Sequence, residues 1–344
     1  MSRIKRFAII LAGGQGERFW PMSQPELPKQ FLTIFKNKSL INQTIDRLKG
    51  YFKQGERILI IPQQLKKITM DFVGKEEFII EPVRRNTAPA ICLAAMILKK
   101  KYGDGILHVM PADHIISPKD DFVAALKLGE QFARKGYLVT YGIQPSRPET
   151  GYGYIRVGKR IGDHQELKAY HGQGFTEKPT LVKAKKYLRT GKYLWNAGIF
   201  TFGMNAVLKE IKKFIPEVYD GVKKYLQTKN KRQFSIVPDI SIDYGIMEKS
   251  NSICIVKGDF DWDDVGSWLA LERYFKKDKN NNILIGNALG LEMNDSIVYT
   301  YGTPVKVYGV SGLIVVVSPF GTLVCKKDRA ANLKNLLRLD KKGG

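Results

Sequence analysis

An apolar run, Phe7-Ala-Ile-Ile-Leu11, passes without a polar residue into Ala12-Gly-Gly-Gln-Gly16. A run this short and this apolar reads as a strand buried on both faces, which calls for a parallel sheet covered by helices. Gly13, Gly14 and Gly16 lack Cβ atoms, so the backbone can reach positive φ and turn its N–H groups onto an anion. Arg18 and Lys29 lie just beyond. Two fixed cations beside a glycine turn suit a triphosphate.

The strand–helix alternation continues to residue 143. Further buried strands are expected at Ile58–Pro62, Phe78–Ile80, Ile106–Met110 and Leu138–Gly142. Between them, Ser39 can cap a helix over Leu40–Phe52, Pro89 falls in the first turn of Thr87–Lys101, and Asp120 and Asp121 open a run to Arg134. The fold class is therefore α/β: a doubly wound, Rossmann-like mixed sheet with ligands beyond the strand C-termini. From Gly151 to about Trp268 the pattern mixes strands (Tyr154–Val157, Ala169–Glu177, Asn196–Phe202) with a helix capped by Thr180 and a long helical stretch over Asn205–Leu226. After the polar run Lys276–Asn282 short strands follow, Ile297–Tyr299, Val305–Val310, Leu313–Val317 and Leu323–Cys325, then an amphipathic helix over Arg329–Leu337. The expected division is a domain over residues 1–279 and a small β-rich domain over 280–344.

Two familiar phosphate motifs fail here. Gly16 is not followed by the Gly-Lys-Ser/Thr of a P-loop, and Phe19 stands where the dinucleotide fingerprint needs its third glycine. The net charge of +23 comes mostly from 40 Lys against 16 Arg spread over helix faces, with no arginine-rich stripe or nucleic-acid motif. A solvated lysine surface that helps anions arrive is expected, with no nucleic-acid partner. No apolar run approaches the ~20 residues that span a bilayer, so no membrane partner is expected. Met1-Ser-Arg lacks the apolar region of a signal peptide, and a cytoplasmic location follows. Cys92, Cys254 and Cys325 form no C-x-x-C pair; Cys92 and Cys325 are expected as buried small hydrophobes.

Two carboxylate stretches stand out. Asp113 follows a strand inside Pro111-Ala-Asp-His114, and Asp261, Asp263 and Asp264 crowd into Asp261-Trp-Asp-Asp-Val-Gly-Ser-Trp268. Any of them can bind a hard cation; Asp263 or Asp264 can equally cap a helix over Ser267–Phe275. Asn86 has the same ambiguity, since it stands where a helix cap belongs.

The stretch Phe7–Ser23 followed by Leu27-Pro-Lys-Gln-Phe-Leu32 resembles the signature of the sugar-1-phosphate nucleotidylyltransferases. Trp20-Pro-Met-Ser23 and Pro28-Lys-Gln-Phe-Leu32 are similar to the mannose-1-phosphate guanylyltransferase branch. The resemblance implies transfer of GMP from GTP to mannose 1-phosphate, giving GDP-mannose and pyrophosphate, with Mg²⁺ held by Asp113 and Asp264. It implies a catalytic set of Arg18, Lys29, Asp113 and Asp264, with Arg18 on the β- and γ-phosphates and Lys29 on the α-phosphate or pyrophosphate. Nucleotide contacts fall to Ala12, Gly13, Gly14, Gly16, Asn86, Thr87, Pro111 and Ala112. Sugar-phosphate contacts fall to Gly151, Tyr152, Gly153, Glu177, Lys178 and Asn196, and Arg147 also faces phosphate. The C-terminal region is expected to be a short left-handed β-helix, and the protein a homodimer. Some members continue into a cupin-type isomerase domain; with this chain ending at Gly344, a single activity is expected. Two alternatives stay open: the same chemistry on another sugar 1-phosphate or nucleotide, and a non-catalytic nucleotide- or RNA-binding regulator of this fold.

Overall fold

The computed structural model describes residues 4–164 and 166–340; Met1-Ser-Arg and Gly344 lie outside them. The chain forms two compact units. The first comprises residues up to Gly13, Thr44–Ala112 and Ile116–Trp262; the second comprises Gly14–Gln43, Asp113–Ile115 and the chain from Asp263 onward.

The strands are β1 (Lys5–Leu11), β2 (Arg57–Pro62), β3 (Glu77–Glu81), β4 (Gly105–Pro111), β5 (Ile115–Ser117), β6 (Leu138–Ile143), β7 (Tyr154–His164), β8 (Leu167–Thr176), β9 (Tyr193–Gly203), β10 (Ile253–Lys257) and β11 (Asp261–Asp263). The helices are α1 (Leu40–Leu48), α2 (Lys66–Val73), α3 (Thr87–Tyr102), α4 (Lys119–Arg134), α5 (Leu181–Thr190), α6 (Met204–Phe214), α7 (Pro216–Thr228), α8 (Lys231–Ser235), α9 (Leu271–Tyr274) and α10 (Lys334–Asp340).

The first unit is built on a nine-stranded mixed sheet in the order β3-β2-β1-β4-β9-β6-β10-β8-β7. β1 runs parallel to both β2 and β4, pairing Ile9 with Ile58 on one side and Val109 on the other. Strand order reverses between β1 and β4, so their C-terminal ends flank the switch point of an open α/β sheet, the usual place for a ligand. Ala12 and Ala112 close those ends: Ala12 N–H donates to Ile60 O, and Ala112 N–H to Leu11 O, both at 3.0 Å. β9 enters antiparallel between β4 and β6. α3, α6 and α7 supply Ile91, Leu98, Val207, Ile211, Val218 and Val222 to one continuous apolar core with the sheet.

The second unit carries a parallel stack. β12 (Ile283–Ile285), β14 (Ile297–Thr300) and β16 (Leu313–Ser318) run parallel, while β17 (Gly321–Lys326) closes the sheet antiparallel. β13 (Ala288–Leu291) and β15 (Val305–Tyr308) form a second parallel ladder. Ile283, Ile297 and Ile314 align across successive strands and enter a core with Phe19, Trp268, Val316 and Leu323. The chain after the glycine turn is tied into this core, because Trp268 Nε1 donates to Trp20 O at 3.0 Å.

Several expectations need correction. The helical stretch over Asn205–Leu226 is two helices, broken at Ile215, where Pro216 disfavours helical geometry in the residue before it. The helix capped by Ser39 stops at Leu48. Instead of one helix over Ser267–Phe275 there is a 3₁₀ turn, Trp268–Ala270, and then α9. The tail likewise forms a 3₁₀ turn, Lys327–Asn332, before α10. Cys325 is only half-buried, since β17 alternates at a sheet edge. Among the described residues no helix is long and apolar enough to cross a membrane.

One buried polar cluster braces the large sheet. Glu130 of α4 accepts from the Tyr51 hydroxyl at 2.9 Å and from Arg134, with Arg6 Nη1 at 3.5 Å. Removing a buried anion strands its cation and hydroxyl partners. Glu130→Ala is expected to lower unfolding free energy by roughly 3 kcal/mol, read as a drop in the urea midpoint.

Candidate active site

Within the second unit, three segments far apart in the chain converge on one ammonium. Lys29 sits in a 3₁₀ turn and is 6% exposed. Its Nζ donates to Asp113 Oδ2 at 2.8 Å and to the backbone oxygen of Asp264 at 2.6 Å. Gly16 makes this approach possible. It has φ +64, and a Cβ there would collide with Lys29 Cβ and stand 2.8 Å from Lys29 N. The Ser23 hydroxyl fastens the turn by donating to Gly16 O at 2.8 Å.

Burial works to raise the Asp113 carboxyl, but the Lys29 ammonium, with His114 and the Lys29 hydrogen bond behind it, outweighs this and holds it below the usual range. Asp263 does different work from its neighbour. It accepts from Val265 N–H at 2.8 Å, from the Tyr274 hydroxyl at 3.1 Å and from both faces of the Arg273 fork. Burial would raise this carboxyl; Arg273, Val265 and Tyr274 together hold it low. Asp263 is thus neither a helix cap nor available as a cation ligand. It pins Val265, a buried β-branched residue at φ +48, a conformation such residues rarely adopt. The bend turns Asp264 toward Gly266. A Cβ at 266 would lie 3.1 Å from Asp264 Oδ2 and 3.5 Å from Arg18 Nη1, so the glycine leaves a cradle between a carboxylate and a guanidinium.

That donor set fits a hard divalent cation, which takes one or two protein carboxylates and fills its remaining positions with phosphate and water. It does not form an all-protein cage: among the described residues no three His, Cys, Asp or Glu side chains cluster around a common point.

Gly14 also lies in the second unit, and the first holds the remaining expected residues. Gly13 lies against Glu81 at the end of β3, where a Cβ would be 3.4 Å from Glu81 Oε2. Glu81 is 5% exposed, and its Oε1 is buried without a hydrogen-bond partner. Burial pushes its carboxyl up to about 7 against the pull of Arg84. Asn86 caps α3 with its own Oδ1 on Thr87 N–H at 2.9 Å, and its Nδ2 donates to Asp239. The Thr87 hydroxyl accepts from Ile242 N–H at 2.8 Å.

Glu177, Lys178, Asn196 and Gly153 come together. Glu177 pairs with Lys178 Nζ at 3.0 Å. Lys178 takes φ +47, with its N–H on Tyr152 O at 3.1 Å, and Asn196 N–H donates to Gly153 O at 2.8 Å. Gly151 is exposed at the turn before β7. Arg147 lies over the Trp195 ring at 5.2 Å and pairs with Glu149 at 3.2 Å.

The sequence places base selection on the stretch Glu81–Ala90 without singling out Glu81, and gives no role to Asp243, which accepts from Asn196 Nδ2 at 2.9 Å. Glu81 had a signal, an acidic residue closing an apolar strand before Pro82. Asp243 had none.

Gly16→Ala is expected to displace Lys29, costing roughly 2–3 kcal/mol of stability and more than tenfold in turnover, measured by thermal melting and steady-state kinetics. The depressed carboxyls of Asp113 and Asp263 stabilise the fold fully above their unfolded pKa of about 4, and that contribution disappears as pH falls through the lower folded values. Lys29→Met is expected to lose the Asp113 share of this stability, so its acid-unfolding midpoint lies at higher pH than that of the parent.

Residues 7–281 match the nucleotidyl transferase family, and residues 286–339 match a MannoseP isomerase/GMP-like beta-helix domain. A mannose-1-phosphate guanylyltransferase from Klebsiella pneumoniae is 36% identical over 345 residues, covering 95% of this chain and 72% of that protein. One from Escherichia coli strain K12 is 34% identical over 365 residues, covering 100% of this chain and 75% of that protein. A crystal structure described as mannose-1-phosphate geranyltransferase from Thermus thermophilus superposes with a TM-score of 0.89 at 34% identity, covering 98% of this chain and all of that one. With the glycine turn, the Lys29–Asp113 pair and relatives matched along nearly the whole length, the chain belongs to the nucleotidyl transferase family, in its mannose-1-phosphate guanylyltransferase branch.

Proposed function

We propose that this chain transfers GMP from GTP to mannose 1-phosphate, releasing GDP-mannose and pyrophosphate. The observation that carries the reading is the buried Lys29 ammonium between Asp113 and the Asp264 backbone. The nucleophile, a sugar phosphate oxygen, is already anionic at neutral pH, so no general base is needed. The demand is to bring two polyanions into line and neutralise them.

Lys29 is desolvated and held before substrate arrives, and it neutralises the α-phosphate or the departing pyrophosphate. Arg18, facing the Gly266 cradle, takes the β- and γ-phosphates. Asp113 and Asp264 are the residues that would hold Mg²⁺, which when bound neutralises charge on the triphosphate. Glu81 suits the guanine edge: N1–H and the 2-amino group are adjacent donors, and a buried carboxylate lacking a partner accepts from both. Adenine offers no such pair. Lys178 answers the sugar phosphate, and Glu177 and Asn196 answer its hydroxyls. The domain division at residues 279 and 280, the homodimer and the cytoplasmic location belong to the same reading.

Pyrophosphate release, measured with GTP, ATP, UTP and dTTP against mannose and glucose 1-phosphates, tests it. GTP with mannose 1-phosphate is expected to be fastest. Asp113→Asn and Asp264→Asn are each expected to lower kcat by roughly a hundredfold or more; Asp264→Asn leaves the melting midpoint unchanged, whereas Asp113→Asn also lowers it, because Lys29 loses its carboxylate partner. Equal rates for all pairs would overturn the substrate assignment, and near-normal turnover in either variant would remove that residue from the metal role.

A further inference from the structure

A polar chain inside the first unit leads to Asn196 from a residue with no part in the roles assigned above. It begins at Asp243, which opens a single π-helical turn, Asp243–Met247. Such turns shift side chains out of helical register and recur at functional sites. This one is anchored to the start of α3, since Ile242 N–H donates to the Thr87 hydroxyl at 2.8 Å and Asn86 Nδ2 to Asp239 at 3.1 Å.

From that fixed point Asp243 Oδ1 accepts from Asn196 Nδ2 at 2.9 Å. On its other side, Asn196 Oδ1 accepts from the Thr140 hydroxyl at 2.7 Å. Thr140 is fully buried and Asn196 is 6% exposed. The amide lies with its nitrogen toward Asp243 and its oxygen toward the Thr140 hydroxyl, which also has Ile199 O at 3.2 Å. Asn196 keeps one N–H and one carbonyl lone pair for a ligand, in fixed directions.

A second carboxylate stands alongside. A Cβ on Gly153 would lie 2.5 Å from Glu177 Oε2 and 3.2 Å from Asn196 Cβ, so Glu177 and Asn196 border the same space. Burial and then the Glu177 charge push the Asp243 carboxyl up to about 7, against the pull of its own backbone N–H, Lys178 and Asn196. The charged and titratable groups around Asp243 are therefore Glu177, Lys178 and Tyr244, with Glu248 on the Glu177 N–H at 2.9 Å. A carboxylate and an oriented amide side by side are a poor site for a phosphate. They match adjacent hydroxyls, each of which donates one hydrogen bond and accepts another.

We propose that Asp243 is a positioning residue for the sugar: it fixes the Asn196 amide, which beside the Glu177 carboxylate meets two adjacent hydroxyls of the pyranose. This rests on the sugar 1-phosphate reading above and assigns the part of the substrate that Asp243 senses.

The test compares the parent with Asp243→Asn, Asp243→Ala, Asn196→Ala and the Asp243→Ala/Asn196→Ala double variant, measuring KM for each substrate, kcat and the thermal midpoint. In Asp243→Ala the KM for mannose 1-phosphate is expected to rise roughly tenfold or more while the KM for GTP stays within about twofold. Asp243→Asn keeps an acceptor for Asn196 but loses the charge, and is expected to fall between; being isosteric, it keeps the test valid if the alanine variant fails to fold. The double variant is expected to be scarcely worse than Asn196→Ala, because both changes act through one amide. A mannose 1-phosphate KM within twofold of the parent in both Asp243 variants, an equal rise for both substrates, or full additivity in the double variant would overturn the proposal. The underlying reading fails differently, by the parent releasing no pyrophosphate from GTP with mannose 1-phosphate. If the parent prefers another sugar 1-phosphate, the same comparison with that sugar decides the role of Asp243.

Discussion

A buried ammonium must be paired or it costs several kcal/mol, and Lys29 finds both partners at remote points of the chain, 84 and 235 residues away. That requirement organises the second unit. The turn after β1, the segment Asp113–Ile115 and the chain from Asp263 onward assemble around one charge. The aromatic packing of Phe19 on Trp268, with ring centroids 5.2 Å apart, gives the same segments an apolar reason to meet. A cation held this way loses little freedom when a phosphate arrives, which is the form of pre-organisation phosphoryl chemistry rewards.

Three aspartates within four residues divide the labour by their surroundings. Asp261 is exposed, Asp263 is locked to Arg273 and Tyr274, and Asp264 faces the Gly266 cradle. The lock on Asp263 holds Val265 in a conformation it would not choose alone, so strain in the backbone is offset by an ion pair two residues away.

Legibility from the sequence followed the locality of the signal. β1, β2, β4 and β6 were readable because a strand buried on both faces is a continuous apolar run. β10, Ile253–Lys257, carries the same kind of run, yet no strand was expected there because it falls in the region of mixed texture. β7 runs on past its expected end and β8 starts before its expected beginning, because many of their residues face solvent and read as loop. Gly16, Lys29, Asp113 and Asp264 stood out through motif spacing and resemblance. Asp243 did not, because its meaning lies in the Asn196 amide 47 residues away, and no local pattern records a side-chain pairing across a sheet. The break at Pro216 was legible in principle and was overridden by the amphipathic run around it.

The scattered make-up of the second unit bears on how the protein is made. Residues of the first unit through Trp262 emerge from the ribosome before any of the chain from Asp263 onward. Until that last stretch emerges, Lys29 lacks its Asp264 partner and Phe19 lacks Trp268, so the glycine turn is synthesised early and finished late. A nascent chain, or a fragment stopping short of Asp263, carries the sheet but lacks the Asp264 contact that pairs Lys29.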